Sequence, residues 1–329
     1  MKLRLLTESD CRGLLDMREA IDIQAEAFGL LASGRAVEGL RSVATSEDPP
    51  GVAIFNPCFL RGGAGYGIKV VSDFHGNAAR GLPPMSALIA LFDGETGMPR
   101  TLMEGGYVTD VRTGAGTALA ARHLARPDSR SLAVIGAGRV ARYQIEALAV
   151  VFQLRDIKLF ARTPARGEAL IKSLHNLPIS IERSAEAAVG GADMVVTATT
   201  ASQPVVQGEW LKPGAFVAAV GAYSPEKREL GSSVIRRAAC HVIDSRTDCL
   251  ERAGDFMIPI KEGVLQRGAI AEIAEILSGA RPGRGSAQEI IVYKSSGVPI
   301  QDLVTAQHIE RRAIAGNIGA MLDLGGDHD

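Results

Sequence analysis

The residues with the clearest chemical meaning are Gly136, Gly138 and Ala141, which lie between a β-branched run and a helix-compatible stretch. In a strand–turn–helix unit the first small residue makes the tight turn, the second lets backbone N–H groups approach a diphosphate, and the third lets the helix pack on the strand. The N-terminus of the helix then faces the anion. This context favours a nicotinamide-dinucleotide site over an ordinary glycine turn.

The end of the following strand bears on which nicotinamide nucleotide binds. A carboxylate about 20 residues after the glycines would accept a hydrogen bond from the 2′-hydroxyl of NAD(H), but this chain has Arg162 and Thr163 there. A guanidinium at that position can form charge-assisted hydrogen bonds with the 2′-phosphate of NADP(H). NADP(H) is therefore favoured and NAD(H) remains possible, because Arg162 is also compatible with a solvated helix start.

Two cations in the first third of the chain could bind a substrate. Lys69 lies mid-strand in the apolar run 66–71, where a buried ammonium needs an anionic partner or a lowered pKa. In a cleft it could bind a carboxylate or exchange a proton with a substrate nitrogen; the alternative is an edge-strand lysine that points to water. Arg112 could form a bidentate pair with a carboxylate, or a salt bridge with Asp110.

The elements that must position these residues are mixed in the first hundred positions. Residues 11–32 have apolar residues at helical spacing, and residues 40–60 and 66–71 are typical of strands. Residues 86–92 and 99–103 flank an Asp-Gly turn, as the strands of a hairpin do. We therefore expect an α+β domain with mostly antiparallel pairing.

After a small-residue helix over 110–124, strands and helices alternate in a pattern that favours a parallel, doubly wound sheet. Strands are predicted at residues 131–135, 156–161, 193–198, 215–220, 241–244 and 290–293, and helices at residues 140–151 and 164–175. Residues 300–322 predict a long helix that crosses back to the first domain and makes that domain discontinuous. The predicted fold class is α/β: a Rossmann-type doubly wound parallel sheet plus a discontinuous α+β domain, with a cleft between them.

Composition narrows the partners and the compartment. The chain has 329 residues, of which 36 are basic and 37 acidic, so its formal net charge is -1 and no global basic field exists for nucleic acid or an anionic membrane. The cysteines and histidines form no CxxC, HxxxH or HxH pair, so neither a disulfide framework nor a metal site is expected. Acidic residues near the start argue against a signal peptide, and the cytoplasm is the expected compartment.

Several blocks of sequence follow one another along the chain. They are Gly67-Ile68-Lys69-Val70-Val71, Gly105–Thr113, Gly136-Ala137-Gly138, Gly208–Gly214, Arg228-Glu229-Leu230, Tyr293–Gly297 and Gln301-Asp302-Leu303. Together they resemble the ornithine cyclodeaminase/mu-crystallin family over essentially the whole chain. The resemblance implies a homodimer in which residues 1–115 plus 305–329 form the substrate-binding and dimerisation domain and residues 116–304 form the Rossmann dinucleotide-binding domain.

The resemblance also implies roles for individual residues. Arg41, Lys69 and Arg112 would surround the carboxylate of the substrate, and the catalytic candidates are Lys69, Arg112 and Tyr223. The cofactor-binding positions that it implies are Arg112, Thr113, Gly136, Gly138, Arg139, Val140, Arg162, Thr163, Thr197, Thr199, Val220, Ser296 and Gly297.

One position departs from the ornithine-cyclising members of the family. Those members have an aspartate that engages the substrate amine, whereas this chain has Tyr223 in the segment Gly221–Leu230. A phenol with a pKa near about 10 cannot be an anionic partner at neutral pH. It can still donate a proton or a hydrogen bond.

These features together predict an NAD(P)H-dependent reductase of small α-imino acids, reversible as an amino acid dehydrogenase. The candidate substrates are cyclic ketimines, such as pyrroline- or piperideine-2-carboxylate, and acyclic imines such as iminosuccinate. Two alternatives stay open: an ornithine cyclodeaminase-type lyase with tightly bound NAD(H), and a non-catalytic mu-crystallin-like ligand-binding protein. Lys69 is the first candidate for the proton donor and Tyr223 the second. Because a cluster of cations disfavours an iminium, either one of these cations acts as the proton donor or a nearby acid compensates. Asp73 and Asp110 are in sequence reach, but the sequence places neither.

Overall fold

The chain forms two compact units in the computed structural model, which describes residues 1–325. Unit 1 comprises Met1–Arg112 and the segment that begins at Pro299, and unit 2 comprises Thr113–Val298. The sequence analysis predicted these two domain boundaries after residues 115 and 304. Residues 326–329, part of the predicted first domain, lie outside the described residues.

Unit 1 mixes helices with a sheet, and unit 2 alternates strands with helices. In chain order the elements are β1 (Lys2–Leu6), α1 (Glu8–Leu14), α2 (Met17–Ala32), β2 (Ala36–Glu38), β3 (Ser42–Glu47), β4 (Pro50–Leu60), β5 (Tyr66–Asp73), β6 (Met85–Phe92), β7 (Pro99–Glu104), α3 (Gly105–Leu124), β8 (Ser131–Ile135), α4 (Arg139–Val151), β9 (Asp156–Phe160), α5 (Pro164–Ser173), β10 (Ile179–Ile181), α6 (Ala185–Val189), β11 (Met194–Thr197), β12 (Phe216–Ala219), α7 (Ser232–Arg237), β13 (Cys240–Ile243), α8 (Arg246–Arg252), α9 (Gly254–Lys261), β14 (Ile270–Glu272), α10 (Ile273–Leu277), β15 (Ile291–Lys294), α11 (Pro299–Ala315) and β16 (Ala320–Asp323). Across residues 1–325 no helix combines the length and the apolar character that a bilayer span requires.

The sheet of unit 1 has the strand order β16-β1-β7-β6-β5-β4-β2, with β3 also paired to β4. Its pairs are antiparallel except for the parallel pair of β1 and β7, so the predicted pairing is confirmed. The run predicted at residues 40–60 is two strands, β3 and β4. The β6–β7 turn is closed by Asp93, whose carboxylate accepts hydrogen bonds from the backbone N–H groups of Glu95 and Thr96.

Two helices, α1 and α2, form where the sequence shows apolar residues at helical spacing. Thr7 and Asp10 make a capping box at the start of α1, and Asp16 and Glu19 make another at the start of α2. Each box satisfies two backbone N–H groups that a helix start leaves without partners. Helix α2 buries one apolar face and packs against α11 within unit 1.

The helix predicted over residues 300–322 is shorter than the sequence indicated. Helix α11 ends at Ala315, Asn317 adopts a φ of 50° and Gly319 a φ of 92°, both in the left-handed region. The chain then continues as β16, which pairs antiparallel with β1 at the edge of the sheet. A Cβ atom on Gly319 would lie 2.5 Å from Leu6 Cδ2, so a glycine is required for the chain to pass this close to β1.

The sheet of unit 2 is parallel throughout, with the order β10-β9-β8-β11-β12-β15-β13-β14. Its first five strands follow the 3-2-1-4-5 order of a doubly wound dinucleotide-binding fold, and the last strand of this sheet along the chain, β15, takes the sixth place beside β12. This topology confirms the predicted class. Strands β11, β12 and β15 are buried along their whole length, as parallel strands covered on both faces are. Since all strands run in the same direction, the loops that follow their carboxyl ends share one edge of the sheet.

Candidate functional site

Lys69 lies in the interior of the unit 1 sheet. Strand β5 is flanked by β4 and β6, and Lys69 stands opposite Asn56 on one side and Ile89 on the other. Its side chain is 3% exposed, and its Nζ lies 2.6 Å from Oδ2 of Asp302 on α11. The edge-strand alternative is therefore wrong, because this lysine faces a helix and a carboxylate rather than water.

Gly67 explains how a helix comes so close to this strand. It lies two residues before Lys69 and on the same face, since side chains alternate along a strand. A Cβ atom on Gly67 would lie 3.1 Å from Leu303 Cδ1 and 2.9 Å from the carbonyl oxygen of Ala90. The absence of a side chain at this position lets α11 approach β5, which brings Asp302 within hydrogen-bond distance of Lys69.

Arg112 holds the other oxygen of the same carboxylate. Its Nε donates to Asp302 Oδ1 at 2.9 Å and its Nη1 donates to Gln301 Oε1 at 3.4 Å, while its side chain is 7% exposed. Gln301 in turn donates through Nε2 to Gln24 Oε1 at 3.0 Å. Arg112 is thus paired with Asp302, a residue that neither of the two predictions for Arg112 named.

Arg41 completes the group of three cations. Its Nε donates to Asn56 Oδ1 at 2.9 Å, and Asn56 is the residue opposite Lys69 in the β4–β5 pair. Unit 1 therefore brings Arg41 and Arg112 near Lys69, and Asp302 contacts Lys69 and Arg112. Three cations and one carboxylate carry a formal charge of about +2, which favours binding of an anion such as a second carboxylate.

The pKa values of this cluster reflect burial and mutual attraction. Burial lowers the pKa of Lys69 to about 8; the carboxylate of Asp302 opposes this fall, and the positive charges of Arg112 and Arg41 add to it. For Asp302, burial raises the pKa, but Arg112 and Lys69 outweigh it and hold the pKa below its usual value. A lysine with a pKa this close to neutrality can both donate and accept a proton near physiological pH.

Asp302 is the functional residue that the sequence analysis missed. A compensating acid was one of two alternatives, and Asp73 and Asp110 were the acids considered for it. Asp73 instead lies 2.8 Å from the ring of His75. The signal that could have identified Asp302 was its place in the Gln301-Asp302-Leu303 block, on a helix predicted to return to the first domain.

The glycine turn of unit 2 has the geometry that a diphosphate site needs. Gly136 has a φ of 116°, and a Cβ atom there would lie 2.4 Å from the carbonyl oxygen of Ala198. Gly138 precedes α4, and a Cβ atom there would have nothing within 4 Å. No side chain caps the first turn of α4, and Ala141 is fully buried beneath it. The start of α4 therefore presents the backbone N–H end of a helix, which an anion can approach.

The predicted residues around this turn differ in exposure. Arg162 and Thr163 are exposed directly after β9, and Thr163 precedes α5 without a side-chain cap. Thr197 ends β11 fully buried, and its hydroxyl has no hydrogen-bond partner among residues 1–325. Arg139 is exposed and Val140 half-buried at the start of α4. These residues surround the carboxyl ends of β8, β9 and β11.

The remaining predicted positions of unit 2 lie in loops after the neighbouring strands. Thr199 follows β11, Val220 follows β12, and Ser296 and Gly297 follow β15. Tyr223 lies further along the loop after β12, with 42% of its surface exposed. Together with the glycine turn, these loops lie along one edge of the parallel sheet, which is where a doubly wound fold binds a dinucleotide.

A metal centre has no counterpart in this arrangement. Within residues 1–325 no group of three or more His, Cys, Asp or Glu side chains is placed to hold a metal ion. Of the predicted cofactor positions, Arg112 lies in unit 1, Thr113 is the first residue of unit 2, and the others lie within unit 2. The substrate and cofactor roles of these residues remain predictions.

Comparisons with known proteins give one consistent result. The family model described as the ornithine cyclodeaminase/mu-crystallin family matches residues 1–317. A Delta(1)-pyrroline-2-carboxylate reductase of Bacillus cereus is 32% identical over 324 residues, which cover 97% of this chain and 99% of that protein. The structure of Thermococcus litoralis Delta(1)-pyrroline-2-carboxylate reductase in complex with NADH and L-proline is 36% identical, with a TM-score of 0.92 and coverage of 96% of this chain and 99% of that one. An archaeal alanine dehydrogenase dimer with bound NAD is 31% identical, with a TM-score of 0.93 and coverage of 99% and 100%.

Proposed function

The chain belongs to the ornithine cyclodeaminase/mu-crystallin family, and we propose that it is an NAD(P)H-dependent reductase of small α-imino acids. The proposed substrates are cyclic ketimines such as 1-pyrroline-2-carboxylate, with acyclic imines such as iminosuccinate as the second class. The observation that carries the proposal is the buried cluster of Lys69, Asp302 and Arg112. It combines an excess of positive charge with a lysine of lowered pKa, and an imino acid needs both.

Each residue of the cluster has a task in this reaction. The guanidinium groups of Arg41 and Arg112 bind the substrate carboxylate, and Lys69 donates a proton to the imine nitrogen. A bound nicotinamide nucleotide supplies the hydride that the adjacent carbon gains, so that C=N becomes an amine. In the reverse direction Lys69 accepts the proton from the amine.

Asp302 resolves the conflict between a cationic site and a protonated imine. Its carboxylate touches both Lys69 and Arg112, so it lowers the cost of placing positive charge on the imine nitrogen beside two cations. It also favours the charged form of Lys69, which is the form that donates a proton. We therefore assign Asp302 as a positioning and charge-balancing residue of the site.

The proposal is tested by a spectrophotometric screen of reduced nicotinamide consumption. Preformed cyclic imines, keto acids with ammonia or methylamine, and iminosuccinate are each presented with NADH and with NADPH. We expect turnover with at least one cyclic imine, and oxidation of the corresponding amino acid in reverse. Ammonia and proline released from ornithine without an added acceptor would instead favour the lyase, which Tyr223 disfavours, and no imine-dependent oxidation of cofactor would favour a ligand-binding protein.

Lys69→Met separates catalysis from binding in this screen. The substitution keeps the aliphatic stem and leaves Asp302 paired with Arg112, so it removes the proton donor with little change in volume. Loss of general acid catalysis predicts a fall in kcat of about 10²-fold or more, with NADH binding retained. Lys172→Met, on the exposed face of α5, serves as the matched control. Unchanged turnover in Lys69→Met would exclude the lysine as the donor.

For the cofactor we propose a preference for NADP(H), with NAD(H) as the alternative. Arg162 is exposed where β9 ends, and no carboxylate replaces it in the segment Ala161–Thr163. An exposed guanidinium there is available to a 2′-phosphate. The two solved relatives named above contain NADH and NAD, so both cofactors belong in the assay.

We also propose a homodimer that forms through unit 1, in the reducing environment of the cytoplasm. The sheet face opposite Lys69 carries the stacked rings of Phe59, Tyr66 and Phe92, with centroid distances of 5.3 and 4.7 Å. Phe59 is 42% and Leu88 51% exposed on that face, an apolar area that a second copy would bury. Sedimentation of the wild type against Leu88→Glu tests this: a dimer that becomes monomeric supports the proposal, and a monomeric wild type contradicts it.

A further inference from the structure

A buried carboxylate lies beneath two of the loops at the carboxyl edge of the unit 2 sheet. Glu229 is fully buried, and its Oε1 accepts from the backbone N–H of Thr199 at 2.7 Å and from the Thr199 hydroxyl at 2.8 Å. Its Oε2 accepts from the backbone N–H groups of Gly221 at 2.7 Å and Ala222 at 3.2 Å. One side chain therefore ties the loop after β11 to the loop after β12.

The two loops touch at this point without free space. A Cβ atom on Gly221 would lie 2.2 Å from both the backbone N and O of Thr199, and 2.7 Å from Glu229 Oε1. Only a glycine permits this contact. A change in the hydrogen bonding of Glu229 is therefore transmitted to both loops, since neither loop can shift without the other.

A buried lysine lies between this carboxylate and a second buried acid. Lys294 is fully buried, donates to the carbonyl oxygen of Ala222 and lies 3.2 Å from Asp255 Oδ2. Asp255 Oδ1 in turn accepts from the backbone N–H groups of Glu229 and Leu230, at 2.7 and 2.9 Å. Burial raises the pKa of Glu229 and Lys294 opposes that rise. All four groups that contact the Glu229 carboxylate donate hydrogen, which is the arrangement that the ionised form requires.

A second buried carboxylate holds the loop after β15 in the same way. Asp244 is fully buried, and its Oδ2 accepts from the Ser295 hydroxyl at 2.9 Å and from the backbone N–H groups of Ser296 at 2.8 Å and Gly297 at 2.6 Å. Two buried carboxylates, Glu229 and Asp244, therefore hold the loops after β11, β12 and β15. These three strands form the second half of the doubly wound sheet, whereas the glycine turn and Arg162 belong to the first.

The two halves of such a sheet each bind one mononucleotide of a dinucleotide. We propose that Glu229 is a positioning residue that sets the conformation of the nicotinamide half of the cofactor site, while the adenosine half is fixed independently by the glycine turn. Glu229 itself touches no ligand; it acts through the backbones of Thr199, Gly221 and Ala222. This inference rests on the proposed function, because it requires a nicotinamide dinucleotide as the ligand.

The test compares NADH with ADP-ribose, which contains the adenosine half of NADH but lacks the nicotinamide. Glu229→Gln keeps the shape of the side chain but replaces one carboxylate oxygen with an NH₂ group. In either orientation of the amide, this NH₂ group faces hydrogen-bond donors, those of Thr199 or those of Gly221 and Ala222, so the hydrogen bonds on that side are lost. Calorimetric titration with NADH should show affinity weakened about tenfold or more, the loss expected for a hydrogen bond to a charged group. Titration with ADP-ribose, which lacks the nicotinamide, should change by less than about twofold. Glu226→Gln, an exposed acid in the same loop, is the matched control and should change neither.

Each outcome decides the inference. An equal loss for NADH and ADP-ribose would mean a general structural role, and no loss for NADH would mean that the loops do not depend on Glu229; either result overturns the proposal. The titrations need no imine turnover, so a protein that shows the split yet reduces no imine refutes only the proposed function. A wild type that binds neither NADH nor NADPH removes the premise and this inference with it.

A milder variant covers the case in which Glu229→Gln does not fold. The Thr199 hydroxyl donates to Glu229 and accepts from the backbone N–H of Ala201 at 3.2 Å, so it is committed to this network. Thr199→Val removes only that hydroxyl, with Thr199→Ser as the control that keeps it. We expect the valine variant to lose about threefold in NADH affinity and none in ADP-ribose affinity. Unchanged NADH affinity in Thr199→Val would overturn the inference.

Discussion

Asp302→Asn is the substitution that most directly tests how the cation cluster works. The aspartate lies 2.6 Å from Lys69 Nζ and 2.9 Å from Arg112 Nε, with 5% of its side chain exposed. An asparagine fits the same space but carries no charge, so two buried cations lose their counterion. The expected consequence is a change in the protonation of Lys69 rather than a change in shape.

The size of this change follows from the geometry. At 2.6 Å and an effective dielectric of about 20, the attraction between unit charges is about 6 kcal/mol, which corresponds to about four pH units. Relaxation and water that enters the site will reduce this figure, and we take half of it as a lower bound. The pKa of Lys69, about 8 in the wild type, should then fall to about 6 or below in the variant.

The assay is the pH dependence of kcat/KM for imine reduction, which reports the ionisation of the free enzyme. Reduction needs the protonated lysine, so the wild-type rate should fall as pH rises through about 8. In Asp302→Asn this fall of kcat/KM with rising pH should occur about two pH units lower, and kcat/KM at neutral pH should be lower by at least about tenfold. Because wild type and variant use the same substrate, the ionisation of the imine itself cancels in the comparison.

Glu310→Gln provides the matched control. Glu310 is a buried acid on the same helix, paired with Arg100 at 2.8 Å and bonded to the Thr101 hydroxyl at 2.6 Å. Loss of the Glu310 carboxylate should lower the free energy of unfolding, as removal of one partner from a buried pair does. The pH at which kcat/KM falls should stay the same. The reasoning is refuted if Asp302→Asn keeps the wild-type pH profile, or if Glu310→Gln moves it equally.

Four further substitutions test other parts of the site. Arg162→Ala should weaken NADPH binding about tenfold or more and NADH binding little, measured by fluorescence titration, because only NADPH carries the 2′-phosphate; an equal loss would reject the assignment. Gly136→Ala should lower the midpoint of thermal unfolding, since its Cβ would lie 2.4 Å from the Ala198 carbonyl oxygen at a φ that disfavours alanine, whereas Gly138→Ala should keep that midpoint and lose affinity for cofactor. Tyr223→Phe should lower kcat by less than about tenfold, and a fall as large as that of the Lys69 variant would identify the phenol as the proton donor.

Much of unit 2 was predictable because its signals are local. A β-branched run, a glycine turn and an amphipathic helix follow one another within some twenty residues, and a parallel sheet buried on both faces repeats that pattern. The strands that escaped prediction, β10 and β14, have three residues each, too few to show alternation. The conformation of Gly136 could be inferred from residue type alone, since few other residues tolerate its φ.

The substrate site was only half predictable because its parts are distant in sequence. Lys69 attracted attention as a charge within an apolar strand, but its partner on α11 has no local feature that marks it as a counterion. The predicted helix ran on to residue 322 because the apolar spacing continues through β16, and the turn at Asn317 and Gly319 was not given enough weight. Pairing of β16 with β1 depends on tertiary contacts that no short window contains.

The division of unit 1 between the two ends of the chain affects the order in which the protein can mature on the ribosome. Domains generally fold as units while synthesis proceeds, and the whole of unit 2 emerges before Pro299 does. Until α11 is released, Lys69 and Arg112 lack their carboxylate and β1 lacks its edge partner. Unit 2 can therefore acquire its structure early, whereas unit 1 is complete only after α11 and β16 have been synthesised. A nascent chain that stops short of α11 leaves Lys69 and Arg112 without the carboxylate that neutralises part of their charge.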